Sequence, residues 1–443
     1  MNKSGVIFHT GKSLSSRLAE ARAITDRIFA IPLREALYDR SIPERHRIVF
    51  YIGHLEAFDW NLLGAYALGT KSFHPEFDKL FAFGIDPVDG GLPHDQPSDW
   101  PSLEEVREYN DRVRKELDAR IESESLTEAD GALSQSGVYL NVAIEHRLMH
   151  AETLAYMLHQ LPLNRKVSRP STGAAASSPR PNRRMIEIPA GTATLGLPRN
   201  PEVFGWDNEF ESHTVEVPAF AIDEYKVTNG DFLKFLQTGG YENRGLWAEP
   251  DWQWIQREGI RHPVFWIARG GSWHYRTMFS EIPLPLDWPV HVSHGEAAAF
   301  ARWAGKQLPT EAQFHRAAYG TPEGLERPYP WGESAPEKSR GNFDFANWDP
   351  APIHAHPAGG SAFGVADLLG NGWEWTSTVF EPFPGFEPFP FYPGYSMNFF
   401  DGKHYVMKGG SARTAACMLR HSFRNWFQAH YQYAYSGFRC VSN

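Results

Sequence analysis

Apolar residues recur at three- and four-residue intervals along four stretches, 13–38, 43–69, 102–127 and 132–160, each long enough for a helix. The pattern predicts a helical bundle. The second stretch, "RHRIVFYIGHLEAFDWNLLGAYALG", is apolar at almost every position around His54, which turns that histidine toward the bundle interior. Between the second and third helices, Ser72 to Pro101 reads as one long connection, a length uncommon in a bundle and associated with binding. After residue 182 the period changes. Short runs such as "HTVEVPAFAIDEY" predict strands, single runs such as "HGEAAAFARWAG" predict helices, and Gly, Pro and Trp fill the loops, the texture of a loop-rich α+β domain. "KVSRPSTGAAASSPRPN", Lys166 to Asn182, lacks the large apolar residues of a core and predicts a linker. The expected division is a helical domain over 1–165, a linker over 166–182 and an α+β domain over 183–443.

Composition narrows the classes. The 443 residues are long enough for more than one core, and 42% hydrophobic and 22% charged residues are ordinary for a globular protein, while aromatics reach 14%. The net charge of −10 comes from scattered acids without a basic stripe, so neither a nucleic-acid partner nor an anionic membrane surface is expected. The opening "MNKSGVIFHTGKSLSSRL" lacks the apolar core of a signal peptide and no run of about 18 apolar residues follows, which makes a cytoplasmic protein the expectation. Two cysteines, Cys417 and Cys440, are too few for a disulfide framework or a thiolate cluster. A metal site would have to use histidine and carboxylate.

"EHRLMHAETLAYML", Glu145 to Leu158, offers that chemistry. His146 and His150 are one helical turn apart on one face and can grip one ion together, with Glu152 two residues on. His54 is the candidate third ligand. A zinc-protease site is excluded, since that motif needs Glu directly after the first histidine and Arg147 stands there. Imidazole ligands by themselves suit zinc, copper, nickel or iron.

Six motifs in order, "VTNGDFLKFL", "VSHGEAAAFARWAGKQLPTEAQFHRAA", "PYPWGES", "FGVADLLGNGWEWTST", "VMKGGSARTAACMLRHSFRNW" and "SGFRC", resemble the formylglycine-generating-enzyme/sulfatase-modifying-factor family, a variant of the C-type-lectin fold. The N-terminal half resembles the DinB-like four-helix bundle, in which an early histidine and an HxxxHxE pair hold a metal, matched by His54, His146, His150 and Glu152. The two halves in this order are similar to the non-haem iron sulfoxide synthases of ergothioneine biosynthesis and their selenoneine-forming relatives. A non-catalytic lectin-like module is the alternative, and it leaves the histidines without a purpose. Formylglycine-generating enzymes proper bind copper through a cysteine pair after "GGS". Here Cys417 is alone in that region, which reads as a buried small hydrophobe.

The resemblance implies Fe(II) on His54, His146 and His150, O₂ as co-substrate, and hercynine as the substrate whose imidazole carbon receives sulfur or selenium. Glu152 would hold a ligand ring. Asn425 and Trp426 would contact hercynine, whose quaternary ammonium favours aromatic surroundings. Met149 stands where the family often has Gln. The proton donor of the resembled enzymes is a tyrosine, for which Tyr392 is the choice in "PFPFYPGY", with Phe391 and Tyr395 beside it. A site shared by the two halves is expected. Donor choice follows from Phe427 and Tyr431, which replace the Asp and Arg that bind γ-glutamylcysteine in mycobacterial-type enzymes. Charged dipeptide ends would be desolvated against rings without partners. A selenosugar is the favoured donor, with free cysteine next.

Overall fold

A computed structural model describes residues 13–84, 94–123, 135–169, 184–199 and 203–442. The described residues separate into a helical unit, 13–169 with 203–204, and an α+β unit, 184–199 and 205–442.

In the helical unit α1 spans Leu14–Phe29, begins on Ser13, whose hydroxyl accepts from the Ser16 amide, and stops before Pro32. The expected helix over 13–38 is therefore shorter, with only one tight turn, Arg34–Ala36, beyond it. Helix α2, Ile48–Asp59, is buried on nearly every side and passes into a widened turn over Trp60–Ala67, where the Leu68 amide reaches back five residues to the Leu63 carbonyl. The long connection expected after it contains a fifth helix, α3, Pro75–Phe83. Its signals are local: the His74 ring caps the Phe77 amide, Pro75 opens the first turn, and Gly84 ends it at φ 75°. Part of that connection, 85–93, lies outside the described residues.

Helix α4, Leu103–Ser123, starts on a reciprocal Ser102–Glu105 cap. It buries Leu103, Val106, Tyr109, Val113, Leu117 and Ile121, one stripe at helical spacing. Helix α5, Gln135–Gln160, carries His146 and His150, and packs on α1 and α2, while α2 also packs on α3 and α4. The expected ends of these helices at 127 and 132 fall outside the described residues. Lys166, expected in the linker, is buried and donates to the Leu158 carbonyl at 3.0 Å, and the Val167 amide pairs with the Ile31 carbonyl. The linker from Pro170 to Asn182 lies outside the described residues.

The α+β unit contains four small sheets among the described residues. Strands β1 (Met185–Ile188) and β12 (Val441–Ser442) flank β4 (Phe220–Asp223), which ties the last strand to the first ones. A hairpin joins β2 (Gly191–Leu195) and β3 (His213–Val217), and β5 (Trp266–Arg269), β6 (Ser272–Arg276) and β7 (Glu281–Pro283) form a meander. The fourth sheet runs β10 (Asn425–Gln428), β9 (His404–Lys408), β8 (Trp373–Val379), β11 (Ser436–Gly437). Helices α6 (Asn229–Gln237), α8 (His294–Trp303) and α9 (Glu311–Tyr319) each begin on a reciprocal cap, from Thr228, Ser293 and Thr310, while α7 (Glu249–Arg257) opens with Pro250. With strands so short, buried ion pairs join distant segments: Arg439 forks onto Glu374 at 2.6 and 2.8 Å, and Arg420 onto Glu209 at 2.8 and 2.5 Å. No helix among the described residues is long and apolar enough to cross a membrane.

Candidate metal centre

The three histidines expected to share an ion come together. One ring nitrogen each from His54, His146 and His150 lies within 4.8 Å of the others, and this is the group among the described residues that can hold a metal. His54 Nε2 and His150 Nε2 are 3.2 Å apart. At metal–nitrogen distances of about 2.1 Å, two ligands at a right angle around one ion stand about 3.0 Å apart, so this pair fits adjacent positions on a single ion.

The tautomer of His54 follows from its other nitrogen. Nδ1 lies 2.6 Å from the Phe81 carbonyl oxygen, an acceptor only, so Nδ1 carries the hydrogen and Nε2 presents its lone pair to the cluster. Phe81 sits in the last turn of α3, where carbonyls have no partner within the helix. The unforeseen helix thus supplies the group that orients His54. No side-chain pattern could have revealed this, because the acceptor is a backbone oxygen.

Rings pack around the cluster. Phe58 stacks on His146 at 3.5 Å and 11°, and Phe50 on His54 at 4.8 Å. Burial holds His54 down to about 4, and burial together with the neighbouring imidazoles holds His146 and His150 well below the ordinary histidine value. Neutral imidazole is the ligating form.

Arg147, which excluded the zinc-protease motif, is wholly buried next to His146 in α5. Its guanidinium forks onto Glu56 at 3.0 and 2.9 Å, reaches Asp59 at 2.6 Å and donates to the Leu55 carbonyl at 3.0 Å. Glu56 also accepts from Arg114 at 2.7 and 2.9 Å, and its carboxyl falls to about 2 because these cations outweigh burial, the largest single influence. The two helices that carry the ligands are clamped by this network. Glu152 is buried on α5 without belonging to the three-residue cluster, and Met149 is half-buried one turn from His146.

In the α+β unit the remaining expected residues fall into two groups. Side-chain alternation along β10 puts Asn425 and Phe427 on one face and Trp426 on the other. Trp426 stacks on Phe380 at 4.2 Å and meets the edge of Tyr395 at 5.4 Å, and the rings of Tyr395 and Tyr392 are 5.6 Å apart. Phe427 and Tyr431 stack face to face at 4.6 Å and 8°. Phe391 lies against Phe389 at 4.9 Å. Neither cysteine is in a disulfide, and Cys440 is the fully buried one, whereas Cys417, expected to be buried, is only half-buried.

Residues 171–443 match the sulfatase-modifying factor enzyme 1-like domain. A hercynine oxygenase of Mycolicibacterium smegmatis is 34% identical over 442 residues, covering 97% of this chain and 98% of that protein. The chain belongs to the hercynine oxygenase family. The Mycobacterium tuberculosis hercynine oxygenase is 42% identical over 248 residues, 55% of this chain. Those alignments to the Mycobacterium tuberculosis and Mycolicibacterium thermoresistibile members span 57% and 64% of the relatives' own lengths. Among solved structures, PvdO from Pseudomonas aeruginosa overlays with a TM-score of 0.39 at 20% identity, covering 58% of this chain and 93% of that one. Membership gives the histidine cluster a context. The six ordered motifs fall within the matched domain, and the three histidines precede it.

Proposed function

We propose that this protein is an O₂-dependent non-haem iron enzyme that joins selenium or sulfur to the imidazole carbon of hercynine, with His54, His146 and His150 as the iron ligands. The observation that carries the reading is the three-histidine cluster with His54 Nδ1 committed to the Phe81 carbonyl. Iron(II) held there supplies the redox chemistry that activates O₂ and open positions for the other reactants. The family's relatives named hercynine oxygenase support the substrate. The chain's residues do the rest. The Phe81 carbonyl fixes the His54 ring, and the Phe50 and Phe58 rings keep water from the imidazoles. Asn425 and Trp426 contact hercynine, Trp426 offering its ring to the quaternary ammonium, while Met149 lies on the histidine face of α5. Tyr392 delivers a proton from its hydroxyl. The helical unit is read as DinB-like and the second as lectin-like.

The donor is read from Phe427 and Tyr431. Their stacked rings carry no charge to pair with the ends of γ-glutamylcysteine, but give flat hydrocarbon and one hydroxyl suited to a sugar. A selenosugar is the favoured donor. Free cysteine is the second reading.

Anaerobic loading with Fe(II) and hercynine, then O₂ with selenoglucose, cysteine and γ-glutamylcysteine at equal concentration, tests both parts by mass spectrometry. Ring-coupled product with selenoglucose in excess is expected. Preference for γ-glutamylcysteine overturns the argument from Phe427 and Tyr431, and preference for cysteine selects the second reading. Each of His54→Ala, His146→Ala and His150→Ala is expected to lower iron affinity by about tenfold or more, measured by metal analysis after dialysis. Full iron in the His54 variant removes that residue from the site.

A further inference from the structure

We infer that Asp78, held by the Tyr109 hydroxyl, is the positioning residue for His54: it fixes α3 so that the Phe81 carbonyl stays against His54 Nδ1. Its bearing on metal binding rests on the ligand role proposed above for His54. Helix α3 has nine residues, of which only Asp78 and Phe81 are buried. A helix so short is not stable alone in water, so its place is set by whatever anchors it. One of its two buried residues is a carboxylate, and the other presents the carbonyl that orients the imidazole.

Three donors from three segments converge on Asp78. The Tyr109 hydroxyl on α4 donates to Oδ1 at 2.7 Å, the Ser72 hydroxyl before α3 donates to Oδ2, and the Asn61 side chain in the widened turn donates to the main-chain carbonyl at 3.1 Å. Asp78 and Tyr109 are both buried, so water competes little for these bonds. Asn110, next to Tyr109, donates to the Ile52 carbonyl at 2.9 Å, and Ile52 lies two residues before His54 on α2. Consecutive residues of α4 therefore grip both helices whose meeting point is the Phe81 carbonyl and His54 Nδ1, 2.6 Å apart. Asp78 and Phe81, three residues apart, are neighbours on the buried face of α3.

Apolar packing at the same place does not fix the contact by itself. The Phe81 ring lies 5.3 Å from Phe77, 6.2 Å from Tyr109 and 6.4 Å from Trp100, contacts that tolerate sliding, whereas a hydrogen bond is directional. The Tyr109 phenol is held far above its ordinary value by burial first and by Asp78 second, so it remains a donor to the carboxylate.

Without this anchor α3 can shift, and His54 Nδ1 then loses its acceptor. A neutral imidazole carries its proton on either nitrogen, and with the Phe81 carbonyl withdrawn the proton can pass to Nε2, the nitrogen that faces His150 at 3.2 Å. The lone pair needed in the cluster is then occupied. Asp78 thus acts on His54 through Phe81, by two hydrogen bonds with one helical turn between them.

The test uses the full chain, first without metal and then with Co(II) as the probe. ¹⁵N NMR of histidine-labelled protein, with His54→Gln for assignment, reads which His54 nitrogen carries the proton. The parent is expected to hold it on Nδ1. Asp78→Ala is expected to give a mixture of the two tautomers and to weaken Co(II) binding about tenfold, read by visible absorption during titration. Asp78→Asn, whose amide oxygen still accepts from Tyr109 and whose amide nitrogen can donate to Ser72, is expected to restore the Nδ1 form and the parent affinity. An Nε2 proton in the parent, or an undisturbed Nδ1 proton in Asp78→Ala, overturns the inference whatever the affinity. So does a mixture in Asp78→Asn equal to that in Asp78→Ala. A mixture in Asp78→Ala at the parent affinity for Co(II) upholds the positioning and removes His54 from the metal site instead. Should Asp78→Ala not fold, Tyr109→Phe, which deletes a single oxygen, takes its place with the same outcomes.

Discussion

Gly53 is the smallest residue near the histidines and one of the most constrained. A Cβ placed on it would lie 2.4 Å from the Phe81 ring, a distance no real contact allows. Alanine would normally improve an α-helix by about 1 kcal/mol over glycine. Here overpacking, at about 1–3 kcal/mol, opposes that gain. More to the point, the ring that must move belongs to the residue whose carbonyl orients His54. Gly53→Ala is therefore expected to leave the fold within about 2 kcal/mol of the parent while weakening iron binding by about tenfold. Metal titration beside thermal denaturation checks it, and unaltered affinity would show that the carbonyl contact is dispensable.

At the scale of elements, α2 and α5 must keep a fixed register for one nitrogen from each to reach a common ion. The Arg147–Glu56–Asp59 network lies between them with every member at most 1% exposed. Taking away the cation alone strands two buried carboxylates, of which Glu56 retains Arg114 and Asp59 retains only a 3.8 Å approach by Arg22. Arg147→Met is expected to cost about 3–5 kcal/mol, and adding Glu56→Gln with Asp59→Asn to recover a good part of it, because neutral groups leave no charge unpaired. Urea denaturation of the single and triple variants measures this. A single variant as stable as the parent sinks the clamp. The widened turn Trp60–Ala67 continues the same helix directly beyond the network, and Trp60 at its start is wholly buried. The extra residue in that turn re-aims the face of the chain after the ligand-bearing segment.

For the whole molecule, acid is the sensitive direction. Burial holds both His291 and His294 in the α+β unit down to about 4, below the ordinary value of 6.5. The unfolded chain therefore takes up protons first. The neutral rings contribute their stability in full above about pH 6.5, and that stability is lost as the pH falls toward 4, by as much as about 3 kcal/mol per histidine. Melting temperature is expected to drop between pH 6.5 and 4, and less steeply in His294→Gln than in the parent. Periodicity in the sequence marked the long helices α1, α2, α4 and α5 and the change to a loop-rich α+β texture after the linker, because such patterns are local. Spacing marked His146 and His150 as a pair and His54 as an inward-facing candidate, and the family resemblance implied that the three belong together. The sequence carried Asn425, Trp426, Phe427 and Tyr431 as candidates through motif order. What only the tertiary structure decided is what meets what across the chain. The nine-residue α3 was hidden by its own brevity amid prolines and glycines. The carbonyl it presents to His54, 27 residues away, leaves no mark in any side chain. Asp207 meets Ser396 across 189 positions, and Arg147 meets Glu56 across 91. Such pairings are set by how buried polar groups find partners once the core has formed, and that depends on the folded arrangement and not on neighbours in sequence.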